Sequence, residues 1–328
     1  MDRSSAIMVA GAGGFIGGHV VNELIQLGFQ SVRGVDIKPI GDWYQLPPGA
    51  VAVQEDLRDP QSAFEATRDA RYVVNLAADM GGMGFIENNK ALCMMSVLIN
   101  TQLLQASHEN GVERYFFSSS ACVYAADHQT TVDAIALKES DAYPAMPEDG
   151  YGWEKLFSER MCRHFYEDFG LLTRVARYHN IYGPKGSWIG GREKAPAAIC
   201  RKVAEAVLTG RNCIGIWGDG LQTRSFTYIS DCVKGTLMLL DSDFNEPINI
   251  GSNEMVSINQ LVDIVEEIAG VSLERKYELD APKGVRGRNS DNTLVESVFG
   301  WQPSTNLKDG LKVTYRWVYD QVAKELLK

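Results

Sequence analysis

From residue 6 onward, short unbroken apolar runs alternate with stretches in which apolar residues recur every three or four positions. Ala6–Ala10 is such a run, the length of a buried strand and too short for a helix. Phe15, Val20, Val21, Leu24 and Ile25 then recur at helical spacing until Gly28, a residue suited to closing a helix. Ser31–Ile37, Val51–Leu57, Tyr72–Ala78, Glu113–Ser119 and Leu172–Arg177 read as further strands. Asn89–Asn110 and Tyr151–Phe169 read as helices, and the glycine-rich Asp79–Phe85 as a loop. Strands alternating with helices predict an α/β fold, a Rossmann-type doubly wound parallel sheet.

Past Asn180 the pattern changes. Tyr182–Arg192 holds four glycines and a proline, which marks a domain boundary and a set of binding loops. Ala195–Leu208, Ile258–Ala269 and Leu307–Leu327 read as amphipathic helices, Ser225–Ile229 as a short strand, and Gly284–Arg288 as a basic loop. The expected division is a cofactor domain over 1–180, which also takes back part of 225–250, and a smaller mixed α/β substrate lobe over 181–328. A chain of 328 residues is long enough for such a division.

Composition narrows the function by exclusion. A net charge of −10 argues against a nucleic-acid or membrane-surface binder, so an anionic ligand must be met by a local cluster of Arg and Lys. The six cysteines show no CxxC pair, which predicts neither a disulfide framework nor a metal site. The apolar start is too short for a signal-peptide core and no run approaches a membrane span. A cytoplasmic protein is expected.

Gly11-x-x-Gly14-x-x-Gly17 lies between the first strand and first helix. Small residues there let the backbone approach a pyrophosphate, whose charge is stabilised at the helix N-terminus. Asp36 ends the second strand. A carboxylate at that point accepts hydrogen bonds from adenosine ribose hydroxyls and repels a 2′-phosphate, so the cofactor is read as NAD. Asp56-Leu57, closing the third strand, is placed to meet the adenine.

Tyr151 and Lys155 are four apart on a predicted helix and so share a face. A nearby ammonium favours loss of the phenol proton, which makes Tyr151 a candidate acid/base. The glycine loop, Ser120 and Tyr151-x-x-x-Lys155 together resemble the extended short-chain dehydrogenase/reductase superfamily over essentially the whole chain. Arg177-Tyr-His-Asn-Ile-Tyr-Gly-Pro184 is similar to a segment typical of its nucleotide-sugar branch, the NAD-dependent epimerases and dehydratases. The resemblance implies that Tyr151 is the acid/base of hydride transfer, that Lys155 holds the nicotinamide ribose and lowers the Tyr151 pKa, and that Ser120 orients the sugar. It extends the cofactor set to Phe15, Ile16, Ala77 and Tyr178.

Ser120-Ala121-Cys122, Ala78-Asp-Met-Gly-Gly82-Met-Gly-Phe85, Gly191-Arg-Glu193-Lys194-Ala195-Pro196, Trp217 to Phe226, and Gly284 to Asp291 further resemble the 3,5-epimerase branch that acts on GDP-mannose. Departures fall in Asp127–Lys138, Glu205–Ile214 and around Val271–Pro282. This resemblance implies transient oxidation at sugar C4, which acidifies the hydrogens at C3 and C5, with Cys122 and Lys194 as base and acid. Strand alternation is expected to put Cys122 on the face of Ser120. GDP-L-galactose is the implied product, or GDP-L-gulose when C5 alone inverts.

Lys202, Arg224, Arg286 and Arg288 are the cations expected near the diphosphate or guanosine ribose, with Asn180 and Gln222 as neutral partners. The same resemblance adds Gly82, Ala121, Glu193, Ala195 and Thr223 to the substrate set. It also implies a homodimer through the Asn89–Asn110 and Tyr151–Phe169 helices. Two other readings stay open on the sequence: an NDP-sugar 4-epimerase or 4,6-dehydratase of this fold, in which Cys122 and Lys194 would be idle, and a non-catalytic NAD-sensing Rossmann protein.

Overall fold

The computed structural model describes residues 1–282 and 284–327. In chain order the strands of its first part are β1 (Ala6–Ala10), β2 (Ser31–Asp36), β3 (Ala50–Gln54), β4 (Tyr72–Asn75), β5 (Arg114–Ser120) and β6 (Leu172–Tyr178). The helices among them are α1 (Phe15–Gln26), α2 (Pro60–Thr67), α3 (Met83–Asn88), α4 (Lys90–Met94), α5 (Ser96–Glu109) and α6 (Tyr151–Phe169). Then follow β7 (Ile181–Tyr182), α7 (Ala195–Thr209), β8 (Cys213–Trp217), β9 (Thr223–Ser225), β10 (Thr227–Tyr228), α8 (Ile229–Asp241) and β11 (Ile248–Ile250). The chain closes with β12 (Met255–Ser257), α9 (Ile258–Ala269), β13 (Glu274–Glu278), β14 (Gly287–Arg288), α10 (Thr293–Phe299) and α11 (Leu307–Leu326).

Seven parallel strands form the main sheet in the order β11-β6-β5-β4-β1-β2-β3. Its central strands are apolar on both sides because helices cover both faces. Ile7 and Val9 pack with Val20, Leu24, Leu239 and Leu240 under α1 and α8. Met8 and Ala10 face the other way, onto Leu103, Leu104 and Cys162 of α5 and α6. β11 reaches the sheet only after the chain has crossed into the second lobe, and pairs with β6 from Ala176 to Tyr178. That lobe has its own core, in which α7, α9 and α11 bury Val203, Leu261, Val265, Leu311 and Val318 around β8.

Local signals account for the ends of several elements. Gly170 and Gly210 close α6 and α7 in the left-handed region, where a side chain is disfavoured. Ser257 and Gln260 form a reciprocal capping box on α9. Three sequence expectations differ from the structure, the first being the strand Ser225–Ile229, which is instead the end of β9, β10 and the first residue of α8. The segment 89–110 is two helices, α4 and α5, and part of the expected glycine loop is helical as α3. Tertiary packing explains these last two, since Ile86 of α3 and Cys93 of α4 are drawn into one cluster with Cys122 and Tyr151.

Candidate active site

Gly11 turns with φ 78°, and a Cβ on it would lie 2.9 Å from the Ala77 nitrogen. A Cβ on Gly17 would sit 2.0 Å from the Gly11 carbonyl oxygen. Glycine is therefore a steric requirement where the crest joins α1. Gly14 caps α1 with no side chain over its N-terminal amides, which suits a phosphate approaching that end. Asp36 accepts from the Gly13 amide at 3.0 Å and the Lys38 amide at 2.9 Å, while the Lys38 ammonium donates to Gly13 O at 2.8 Å. The turn is thus tied to the end of β2, and its shape fits the pyrophosphate and ribose of a dinucleotide.

Phe15 and Ile16 open α1, with the Phe15 ring edge-on to His19. Leu57 is buried, and the Ala77 amide donates to Asn75 at 3.2 Å. The Asp56 carboxylate is held by Arg58 at 2.6 Å, which keeps it below the usual carboxylate range.

Beyond the strand ends lies a cavity of about 450 Å³ between the sheet and the second lobe. Ser120, Ala121, Cys122, Tyr151 and Tyr178 line it from the sheet side. Gly82, Asn180, Glu193, Lys194, Ala195, Lys202, Gln222, Arg224 and Arg288 of the expected set also line it, while Thr223 and Arg286 do not. A larger open groove of about 880 Å³ runs along α1 and α8, but none of the sequence-predicted site residues line it.

Tyr151 starts α6 behind Gly150, whose φ is 75°. A Cβ on Gly152 would fall 2.3 Å from the Cys122 carbonyl oxygen, so the Tyr-Gly pair lets the helix end abut the Cys122 turn. That turn is a single 3-10 turn over Ala121–Val123, capped by Ser120 accepting from the Cys122 amide at 3.2 Å. The strand-alternation argument is corrected here. β5 ends at Ser120, and the tight turn rather than the pleat brings Cys122 to the cavity.

The expected lowering of the Tyr151 pKa is also corrected. Burial, then the charges of Cys122 and Glu154, push the phenol well above its ordinary value, and a Ser120 hydrogen bond pulls it back only in part. Lys155 is buried with its ammonium 5.5 Å from the Tyr151 ring centroid. Its charge is offset by the Glu154 carboxylate at 3.6 Å.

Arg288, expected near the diphosphate or guanosine ribose, lines the cavity with its side chain already engaged. Its guanidinium is buried against the Cys122 sulfur at 3.6 Å and Gln129 at 2.5 Å, and is paired with Glu148. Arg286 lies outside the cavity lining, bound to Asp219 at 2.8 Å, and Thr223 beside it donates to Val132 O at 2.5 Å. Arg224 does line the cavity and donates to Val285 O at 2.5 Å; burial pushes its pKa down to about 10. Lys202 donates to Gly215 O at 2.6 Å.

Lys194 is the N-cap residue of α7. Burial lowers its pKa, and the Cys122 charge raises it in opposition. The two groups line the same cavity. Gly82 fixes the approach of the α7 loop, donating to Arg192 O at 3.0 Å, with room for no Cβ because Glu193 O would lie 2.4 Å away. Glu193 accepts from Gly191 at 2.7 Å and from Arg201 at 3.3 Å. Asn180, at φ 45°, donates to Ser225 O at 3.0 Å. Tyr178 shares a 2.6 Å hydrogen bond with Thr236.

Sequence reasoning missed Glu148 and Gln129, which hold Arg288, and Glu278 and Pro282 in the lining. Gln129 and Glu278 lie in segments that depart from the family pattern, so no motif pointed to them. Gln222 donates to Trp217 O at 3.0 Å, and its buried Oε1 has no partner among the described residues, an acceptor a bound molecule or water can satisfy.

Residues 7–251 match the NAD dependent epimerase/dehydratase family. The chain is 46% identical over 326 residues to GDP-mannose 3,5-epimerase 1 of Oryza sativa subsp. indica, covering 97% of this chain and 83% of the relative. It is 44% identical over 333 residues to GDP-mannose 3,5-epimerase of Arabidopsis thaliana, covering 98% and 84%. The crystal structure of UDP-glucuronic acid 4-epimerase from Bacillus cereus with UDP-glucuronic acid and NAD superposes at a TM-score of 0.82, with 25% identity, over 96% of this chain and 99% of that one. With a glycine crest shaped for a dinucleotide and a sugar-sized cavity at the ends of its strands, the chain belongs to the NAD-dependent epimerase/dehydratase family.

Proposed function

We propose that the chain is a GDP-mannose 3,5-epimerase, converting GDP-D-mannose to GDP-L-galactose, and to GDP-L-gulose when only C5 inverts. The observation that carries this reading is the sharing of one cavity by Cys122 and Lys194 with Ser120 and Tyr151. The two relatives at 46% and 44% identity bear the same activity in their names.

NAD, when bound, supplies the hydride acceptor for sugar C4 and returns the hydride at the end of the cycle. Tyr151 takes the C4 hydroxyl proton through its phenol oxygen and gives it back. It enters that step as the phenolate, which burial makes costly and the Lys155 ammonium against the ring stabilises. Ser120, hydrogen-bonded to the phenol, orients the reacting hydroxyl, and Lys155 supplies positive charge beneath the ring. With a carbonyl at C4, the C–H bonds at C3 and C5 become acidic. Inversion needs a base and an acid on two sides of the carbon, and the thiol of Cys122 with the amine of Lys194 forms that pair. A 4-epimerase would leave both idle.

The Asn89–Asn110 and Tyr151–Phe169 regions are proposed as the contact of a homodimer. Exposed Leu92, Met94, Met95, Trp153 and Phe157 support this. Six cysteines, none disulfide-bonded among the described residues, fit a cytoplasmic setting. No helix among the described residues is long and apolar enough to cross a membrane.

Incubation with GDP-mannose and NAD in D₂O tests the activity. The expected products are GDP-L-galactose and GDP-L-gulose carrying deuterium at the inverted carbons. Tyr151→Phe is expected to lose both oxidation and exchange, by about 10²- to 10⁴-fold. Turnover at C4 with no deuterium at C3 or C5 would overturn the reading.

A further inference from the structure

Two carboxylates line the cavity, Glu193 and Glu278. Glu193 is occupied by Arg201 and the Gly191 amide. The Glu278 carboxylate makes no hydrogen bond or ion pair among the described residues, although its backbone carbonyl accepts from Gly218 and Ala281, and it lines the cavity. Exposed to solvent at the cavity wall, that carboxylate repels phosphates and is free to accept from a ligand group that offers it donors.

Its position points to the base. Glu278 ends β13 opposite Trp217 of β8, on the second-lobe wall of the cavity and on different elements from those carrying Ser120, Cys122 and Tyr151. Its Oε1 lies so close over Gly215 that a Cβ there would be 2.3 Å away; the glycine makes room for the carboxylate. Lys202, which donates to Gly215 O, lies 5.9 Å from the Trp217 ring and feels the Glu278 charge. Beside them Gln222, nine-tenths buried, keeps an acceptor oxygen with no partner among the described residues. A flat aromatic surface, a carboxylate and an orphaned amide oxygen form a wall that lacks only donors.

We propose that Glu278 selects the nucleobase of the substrate by accepting the N1–H and N2–H of guanine; this rests on the reading of the substrate as a GDP-sugar. Guanine presents two adjacent donors on that edge, which match the two oxygens of a carboxylate. Uracil presents one N–H between two carbonyl oxygens, and both oxygens oppose the carboxylate. Hypoxanthine keeps N1–H but lacks the amino group. A site that bonds a donor rejects the analogue without it.

The test is calorimetric binding of GDP, IDP and UDP to the NAD-loaded full chain and to Glu278→Ala and Glu278→Gln, with melting temperature and NAD content as controls for folding. The parent chain is expected to bind GDP about 10- to 100-fold tighter than IDP. Glu278→Ala is expected to bring the two within about twofold, chiefly by weakening GDP, and Glu278→Gln, which keeps the side-chain shape, to fall between. A GDP-to-IDP ratio unchanged in either folded variant would overturn the proposal while leaving the GDP-sugar reading intact. Preference of the parent chain for UDP over GDP would overturn that reading itself, and the base assignment with it.

Discussion

The Arg288 guanidinium donates to the Cys122 sulfur at 3.6 Å, and it is held there by Gln129 and Glu148. A planar fork gripped at two further points fixes the sulfur's neighbour in both position and charge. The thiolate that takes the proton would be held ready by a charge-assisted hydrogen bond, and it leaves the step as the thiol.

Arg288→Lys keeps the charge but loses the fork. Deuterium wash-in at C3 and C5 is expected to slow roughly 10²-fold, the cost of a small misplacement of a reacting group, with NAD affinity unchanged. Cys122→Ala should abolish the wash-in while keeping NAD binding and much of the C4 oxidation. Wash-in at the parent rate in Arg288→Lys would take the guanidinium out of the reaction.

Burial lowers the Lys194 pKa, which favours its neutral amine at a pH where an exposed lysine is still fully charged. The protonated amine, acting as the acid, is lost as pH rises through that depressed value. The pH profile of solvent exchange should therefore fall on its alkaline side below the ordinary lysine value of about 10.4. Lys194→Met should lose exchange by about 10²- to 10⁴-fold; a profile still rising at that pH would contradict the role.

Gly82 stands 2.4 Å, by its missing Cβ, from the Glu193 carbonyl oxygen. Gly82→Ala must push back the loop that precedes Lys194, since the obstacle is backbone and cannot rotate away. Roughly 1–3 kcal/mol of stability should be lost through overpacking, read as the urea midpoint. Turnover should fall more than NAD affinity, because the crest at Gly11 to Gly17 is remote from this contact.

His179 is fully buried beside Asn249, and burial lowers its pKa to about 4. In the unfolded chain the ring takes a proton near pH 6.5, so between 6.5 and 4 the unfolded state binds more protons and folding weakens as pH falls. The loss should approach about 3 kcal/mol by pH 4. Urea unfolding at pH 7 and pH 5 measures it, and His179→Gln should flatten that slope.

Much of this was legible in the sequence because it depends on local chemistry. The apolar run Ala6–Ala10, the crest that follows and the helix Tyr151–Phe169 stand as read, each fixed by composition and periodicity alone. The partners of Arg288 were not legible. Gln129, Glu148 and Cys122 come from three separate stretches of chain, and nothing in their spacing encodes that meeting. The effect of Lys155 on Tyr151 was misjudged for a related reason: four-residue spacing gave proximity, but not Glu154 at its side nor the dryness of the pocket. The pairing of Arg286 with Asp219 was not legible either, since the two lie 67 residues apart.

The late arrival of β11 at the main sheet has a consequence for biogenesis. Ile229, Leu239, Leu240 and Ile250 share a core with Ile7, Val20 and Leu24, so the first-synthesised half cannot complete its own interior. During translation the early strands must wait, with that face uncovered, for some two hundred further residues to emerge. A ribosome stalled near residue 180 would hold a sticky intermediate, and cutting the gene there would leave the first piece without the side chains of α8 and β11 that complete its core.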